Sequence, residues 1–246
     1  MPDPVGRTAV VVATLNVRNT ADDWRQRAPL LVEQLAALDP DVIGLQEVRR
    51  LPGQARRIAR QASAGSARWT VRAEYKSGIK GLSEGIAVLS RLPVIDHDRL
   101  ALGSQSRVAQ RVTVGLPDGR VLDVYNVHLA NRDSETRLAQ ARRLLAWIDE
   151  RPDRPLVLVG DFNSRPDSAP WRMLTGRLRS AYSVVHGSEP RRTLPAGPVL
   201  DYIFVNDLVR VHEASITFDR PSADDPGLLP SDHFGLVASL SLMPSR

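Results

Sequence analysis

Two stretches of this chain repeat one pattern. "ATLNVRN" leads through an amphipathic segment to "DVIGLQE", and "DVYNVHLAN" leads through another to "LVLVGDFN". In each, an Asn-Val pair closes one apolar run and an acid closes the next. The spacing is 31 residues from Asn16 to Glu47 and 35 from Asn126 to Asp161. Short apolar runs bounded by turn residues read as buried strands. Between them, Trp24 to Leu38 sets Ala28, Leu31, Leu35 and Leu38 on one face, and Thr136 to Ile148 sets Leu138, Ala141, Leu145 and Ile148 likewise. That is the periodicity of a helix packed on a sheet. Two related strand–helix–strand halves predict two sheets packed face to face with helices outside. Their terminal acids then converge at one edge, where strand ends meet.

Five other apolar segments fit the same scheme, and nine strand-like runs are expected in all: "TAVVVATLNV", "DVIGLQEV", "GIAVLSR", "RVTVGL", "VLDVYNVHL", "PLVLVGDF", "LDYIFV", "VHEASITF" and "FGLVASLSL". Gly and Pro recur as short punctuation with no low-complexity linker, so one domain over residues 1–246 is expected. A hydrophobic fraction of 42% supports a sizeable core. The chain has no cysteine, which excludes disulfides, thiolate metal sites and a cysteine nucleophile. No basic leader followed by a long apolar run is visible, and no segment approaches a membrane span, so a soluble cytoplasmic protein without membrane insertion is expected. The net charge of +5 favours a phosphate-bearing partner, nucleic acid among them, although solvated surface charge gives the same excess. Aromatics at 5% are sparse for a base-stacking platform.

The polar residues at strand ends carry the chemistry. Glu47 ends "DVIGLQEV", and Asn16 interrupts the apolar run "ATLNV". Asp161 and Asn163 follow Leu156 to Val159, with Gly160 as the turn; two apart, they face the same side of an extended segment, with Phe162 between them directed toward packing. His128 closes "DVYNVHL", His233 lies in "PSDHFGL" directly after Asp232, and Asp201 opens "DYIFV". Singly, each is an ordinary turn cap or core polar group. Together they suit phosphoryl chemistry: carboxylates hold a hard divalent cation through oxygen, the cation neutralises phosphate charge, and imidazoles donate hydrogen bonds or protons.

The motifs "TLNVRN", "LQEV", "EGIAVLSR", "YNVHL", "GDFNS", "LDYIFV" and "SDHFGL" occur in the order found in the endonuclease/exonuclease/phosphatase family, and the resemblance runs from Val11 to Leu242. It implies an α/β (α+β) fold, a four-layer α-β-β-α sandwich of two packed mixed sheets with outer helices. It also implies a phosphoesterase dependent on Mg²⁺, with Mn²⁺ as the alternative. By the resemblance, Glu47 is the principal metal ligand, with Asn16 beside it and Asp232 completing the site. Asp161 and Asn163 position the attacking water and the phosphate. His233 is the catalytic histidine and Asp201 the carboxylate that orients it. His128 is the second histidine of the nuclease-like members, Glu84 resembles its acidic partner, and Arg107 a phosphate-contacting arginine. Arg18 departs from the Asn-x-Asp of many apurinic endonucleases, because a basic residue there cannot ligate a cation.

The expected reaction is in-line attack of water on a phosphoester. Asp161 orients and deprotonates the water, His233 stabilises the developing charge, and His128 protonates the leaving oxygen. The acid and base roles of Asp161 and His233 are interchangeable at this level. Loops at Tyr75–Ser83, Arg99–Arg107, Val185–Pro198 and Asp219–Pro230 are expected to form the rim, and "RRLPGQARRIAR", Arg49 to Arg60, lines a phosphate-tracking groove or a solvated helix face. A monomeric nuclease-type phosphodiesterase ranks first and a small-molecule or lipid phosphoesterase second. A non-catalytic phosphate-binding domain is the alternative of another class.

Overall fold

In the computed structural model, residues 9–63, 68–76 and 84–244 are described. The chain runs β1 (Val10–Asn16), α1 (Trp24–Leu38), β2 (Val42–Val48), α2 (Gln54–Ala62), β3 (Thr70–Tyr75), β4 (Gly85–Ser90), β5 (Val94–Ala101), β6 (Val108–Gly115), β7 (Val121–His128), α3 (Ser134–Ile148), β8 (Leu156–Asp161), α4 (Ala169–Thr175), β9 (Arg179–Ser180), α5 (Ala181–His186), β10 (Asp201–Val205), β11 (Val209–Thr217) and β12 (Gly235–Leu242).

These strands form two six-stranded sheets, ordered β11-β12-β1-β2-β4-β3 and β5-β6-β7-β8-β10-β9. At the centre of each lies one parallel pair, β1 with β2 and β7 with β8, flanked by antiparallel neighbours. The helices α1 and α3 are the crossovers that parallel pairing requires. The repeat in the sequence is therefore a repeat in the fold. The halves are interleaved, however: the hairpin β5–β6 joins the second sheet, and the last hairpin, β11–β12, returns to the first.

Three separate apolar cores account for four layers. One lies between the sheets, built from Val10, Val12, Val42, Val124, Val157 and Val159 among others. A second fills the space between the second sheet and α3 and α4, with Tyr125, Leu144, Leu158, Phe162 and Phe204. The third lies under α1 and α2, with Leu15, Leu31, Leu35, Leu45 and Ile58. Alternation along a strand explains the unbroken apolar runs. Val157 and Val159 face the other sheet while Leu156 and Leu158 face the helices, so both sides of β8 are buried. Phe162 packs edge-on against Tyr202 and Phe204, and Tyr125 against Trp147.

Two expectations change. Gly160 is not a turn glycine. It lies inside β8 with φ +151°, where an added Cβ would sit 2.0 Å from the Val127 carbonyl oxygen. Its role is close approach of β7. The strands β3, β5 and the two-residue β9 were not expected; β5 carries exposed Asp96, Asp98 and Arg99, and so lacks an apolar run. No helix among the described residues is long and apolar enough to cross a membrane.

Candidate active site

The inner-face rows of both sheets end at one edge, and the polar residues stand at those ends. Val12, Thr14 and Asn16 form one row; Val124, Asn126 and His128 a second; Val157, Val159 and Asp161 a third; Asp201, Ile203 and Val205 a fourth. Strand register completes the placement. Asp161 is paired with His128 on one side and with Asp201 on the other, so the three form a line across the second sheet.

Glu47 reaches the same edge by a different device. After Ile43 and Leu45, it should point at α1 and α2. A β-bulge between Gln46 and Val48 shifts the register, and Glu47 takes φ +56°. The bulge re-aims the side chain. Val48 then resumes the helix-facing row. Asn16 joins the sheets: its Nδ2 donates to Glu47 Oε1 at 3.2 Å and to Asp161 Oδ2 at 3.0 Å.

Below this edge the sheets are held by amides that the sequence pattern did not single out for this role. Asn126 Nδ2 donates to the carbonyls of Leu45 and Ala87 at 3.0 and 2.9 Å, and its Oδ1 accepts from Gln46 Nε2 at 2.8 Å. Gly44 makes room, since a Cβ there would lie 2.4 Å from Val159. The available signal was a polar residue within an apolar strand.

Asp201 Oδ2 accepts from His233 Nδ1 at 2.9 Å. Thr193 Oγ1 accepts from the Leu200 and Asp201 amides, and Ser231 Oγ donates to the Asn16 carbonyl while accepting from the His233 amide. Burial of His233 works to lower its pKa, but the Asp201 carboxylate, by charge and hydrogen bond, and then Asp161 and Asp232 push it up to about 10. The imidazole is therefore protonated at neutral pH. Asp161 moves above the usual carboxylate range through burial and then the neighbouring Asp201 charge, offset in part by His233 and the Asn163 and Asn16 donors.

His128 is buried and differs from His233. Arg107 Nη1 lies 2.8 Å from His128 Nδ1 and donates to Glu84 Oε1, also at 2.8 Å. Guanidinium only donates, so Nδ1 is an acceptor and the ring proton sits on Nε2. Nε2 lies 3.4 Å from Asp161 Oδ2 and 4.0 Å from Glu47 Oε1. Burial, then Arg107, Lys76 and His233, hold its pKa well below the ordinary histidine value. A neutral imidazole is poorly suited to the proton-donor role expected of His128, and donates a hydrogen bond instead. Glu84 is 3.6 Å from His128 Nδ1, with Arg107 Nη1 within hydrogen-bond distance of both, and it also pairs with Lys76 at 2.7 Å. Arg107 is thus engaged by these two side chains and buried.

Two further placements differ from expectation. Asn163 is not in an extended segment with Asp161. It takes φ +49°, its amide N–H donates to Asp161 Oδ1 at 2.9 Å, and its side chain donates to the Leu129 carbonyl at 3.2 Å. Asp232 lies outside the two close ligand clusters, Glu47–Glu84–His128 and Asp161–Asp201–His233. Its carboxylate is ion-paired with Arg18, which also pairs with Asp22. Asp232 remains near enough that its charge bears on both Glu47 and His233.

The donor set fits a hard divalent cation. Burial, then Glu84, raises the Glu47 pKa, and no Lys or Arg among the described residues forms an ion pair with Glu47. Asp201 Oδ1 is buried without a hydrogen-bond partner among the described residues. A buried carboxylate without a Lys or Arg partner, beside a buried oxygen that accepts no hydrogen bond, is what such a cation would satisfy. In front of Glu47 lies a cleft of about 480 Å³, lined also by Lys76, Gln105, Arg107, Asn131 and Arg132. Of the four rim stretches, Arg99–Arg107 supplies Gln105 and Arg107, and Val185–Pro198 supplies Thr193 behind Asp201. Asp219–Pro230 is tied to α1 through Gln34 and Arg27, and Tyr75–Ser83 contributes Lys76; its residues 77–83 lie outside the described residues.

Two interleaved strand–helix–strand halves with a carboxylate, amide and imidazole cluster at their shared edge define a four-layer α/β sandwich with one composite site. The Endonuclease/Exonuclease/phosphatase family matches residues 13–233, and the chain belongs to that family. Among relatives, it is 30% identical over 173 residues to Protein angel of Drosophila melanogaster, covering 63% of this chain and 48% of that protein. It is 25% identical over 252 residues to Nocturnin of Xenopus laevis, covering 89% of this chain and 65% of that protein. The chain thus spans about half to two thirds of the length of these relatives. The structure of D. rerio TDP2 complexed with single strand DNA product superposes with a TM-score of 0.79 at 19% identity, covering 95% of this chain and 99% of that one.

Proposed function

We propose that this protein is a divalent-metal-dependent phosphodiesterase that hydrolyses nucleic acid. The observation that carries the reading is the meeting of Glu47 and Asn16 from one sheet with His128, Asp161 and Asp201 from the other, beside His233. Mg²⁺, or Mn²⁺ in its place, would be held by Glu47 with Asn16 and Asp232 beside it, and when bound supplies a Lewis acid that polarises the phosphate. Asp161, fixed by Asn16 and the Asn163 amide, orients the attacking water and takes its proton. Its raised pKa favours that role. Protonated His233, oriented by Asp201, stabilises charge developing on the phosphoryl oxygens. Neutral His128 donates from Nε2 toward the same centre, and Arg107 holds its tautomer.

The choice of nucleic acid is supported by family membership, by the DNA-bound TDP2 likeness and by the basic charge of the chain. Turnover of bis-p-nitrophenyl phosphate in Mg²⁺, abolished by EDTA, tests the reaction class. Loss of about 10²–10⁴-fold is expected in Asp161→Asn, which removes the base, and of about 10²–10³-fold in His233→Ala, which removes the charge-stabilising imidazole. Near-normal turnover in both variants would reject the mechanism. A panel of single-stranded DNA, duplex DNA, RNA, phosphomonoesters and sphingomyelin tests the substrate. Exclusive hydrolysis of the last two would replace a nuclease with a small-molecule or lipid phosphoesterase. No turnover of any substrate would leave a phosphate-binding domain.

A further inference from the structure

The arginine-rich stretch at Arg49 to Arg60 is not absorbed by the catalytic machinery. It forms the loop before α2 and most of α2 itself, which carries Arg56, Arg57 and Arg60 and no acid. Between α2 and the edge strand β3 lie two adjoining cavities. One, of about 700 Å³, is lined by Arg56, Arg60, Arg68 and Trp69 among others. The other, of about 350 Å³, is lined by Arg50, Arg56, Ala73 and Tyr75 among others. Arg56 and Val71 line both, so the cavities form one groove.

Strand alternation leaves arginine as the only charged residue type lining this groove among the described residues. Val71, Ala73 and Tyr75 face α2, whereas Glu74, the acid of β3, faces the other way and pairs with His97 and Arg99. No Asp or Glu lines either cavity among the described residues. Arg56, Arg60 and Arg68 are exposed, and none forms an ion pair among the described residues. Arg56 and Arg60 are four apart, one turn of the same helix face. Arg50 lies over the Tyr75 ring, 5.4 Å from its centroid.

The groove runs toward the sheet end that carries the site: Tyr75 pairs with Gly85, and Gly85 pairs with Val48, the residue after Glu47. Lys76 follows Tyr75 and lines the catalytic cleft with Glu47 and Glu84. From Lys76 back to Trp69 the strand spans about 23 Å at ~3.3 Å per residue, about the length of six or seven stacked nucleotides at ~3.4 Å each.

We propose that this groove is a tracking site for the backbone of a single-stranded polynucleotide whose scissile phosphate lies at Glu47. The proposal rests on the nuclease reading of the site. Contacts are to phosphate and not to bases, so binding is sequence-independent and salt-dependent.

The test uses the intact chain and a fluorescein-labelled 20-nucleotide single-stranded DNA, with anisotropy read in EDTA so that binding is measured apart from turnover. The triple variant Arg56→Glu, Arg60→Glu, Arg68→Glu is expected to bind at least 10-fold more weakly. The slope of log affinity against log salt should fall by about 2, the loss of three single-strand phosphate contacts. Hydrolysis of bis-p-nitrophenyl phosphate by the variant should stay within twofold of the parent. Unchanged affinity and slope would overturn the proposal, as would a parent chain that does not bind the oligonucleotide. Equal binding of poly-glutamate would also overturn it, by assigning the surface to an acidic protein. An equal loss of hydrolysis in the variant, reporting a distorted site, would overturn it too. Intact binding in a chain that hydrolyses nothing would leave the groove standing and reject the nuclease reading alone.

Discussion

Replacing Asn126 by leucine removes one side chain that fastens the two sheets to each other. Asn126 lies on β7, and its three hydrogen bonds run to Leu45 and Gln46 on β2 and to Ala87 on β4, at 2.8 to 3.0 Å. Leucine has nearly the same shape, so no cavity opens and the loss is polar. A buried hydrogen bond is worth about 1 kcal/mol net, and three give ~3 kcal/mol. Gln46 Nε2 keeps Thr14 Oγ1 at 3.0 Å and the Gly44 carbonyl at 3.2 Å, so it is not stranded. For a domain of this size, ~3 kcal/mol lowers Tm by roughly 6–12 °C. Calorimetry reads the shift directly. Because Leu45 is two residues from Glu47, turnover of bis-p-nitrophenyl phosphate should fall as well, even well below Tm. A variant that melts within 1 °C of the parent would refute the view that this amide fastens the sheets.

Glu47→Gln should abolish the rise in Tm that Mg²⁺ gives the parent chain, about 2.7 kcal/mol at a hundred times Kd. In EDTA its Tm should equal or exceed the parent's, because burial disfavours the Glu47 carboxylate. A Mg²⁺ shift retained in the variant would contradict Glu47 as a ligand. Gly160→Ala should cost several kcal/mol, since the Cβ meets the Val127 carbonyl at 2.0 Å in a backbone conformation that disfavours side chains; soluble, fully active protein would refute it. In EDTA, the His233–Asp201 pair should make stability pH-dependent. The folded pKa of His233 is raised to about 10 from 6.5, so its contribution is complete below about pH 6.5 and is lost as pH rises toward 10. Thermal melts across that range should show the fall, and Asp201→Asn should flatten it.

Much of this arrangement was legible because its physics is local. Runs such as Leu156 to Val159, short and bounded by turn residues, read as strands buried on both faces, and the two amphipathic segments became α1 and α3. Placing polar groups at strand ends was enough to nominate Glu47, Asp161, Asp201 and the two histidines. The rest depended on pairing, which composition does not encode. The bulge that turns Glu47 toward the site is one extra residue against β4, and nothing in "LQEV" distinguishes it from regular strand. Arg107 looked like a free phosphate ligand, because its partners Glu84 and His128 are 23 and 21 residues away. Asn163 looked extended because its left-handed backbone is set by a local hydrogen bond to Asp161. Edge strands β3, β5 and β9 escaped notice because a strand with one open side has no need of an apolar run.

The return of β12 to the side of β1 has a consequence for how the protein is made. Val10 is paired with Leu240, roughly 230 residues later. At ~5–20 residues per second, a ribosome takes roughly 12–46 s to join them. During that interval β1 can pair with β2 but has an open edge where β12 belongs. The strands β5 to β10 are contiguous in the chain and can close the second sheet first. The nascent chain therefore exposes an apolar strand edge until β12 has been added, and that is the period in which it has most need of a chaperone.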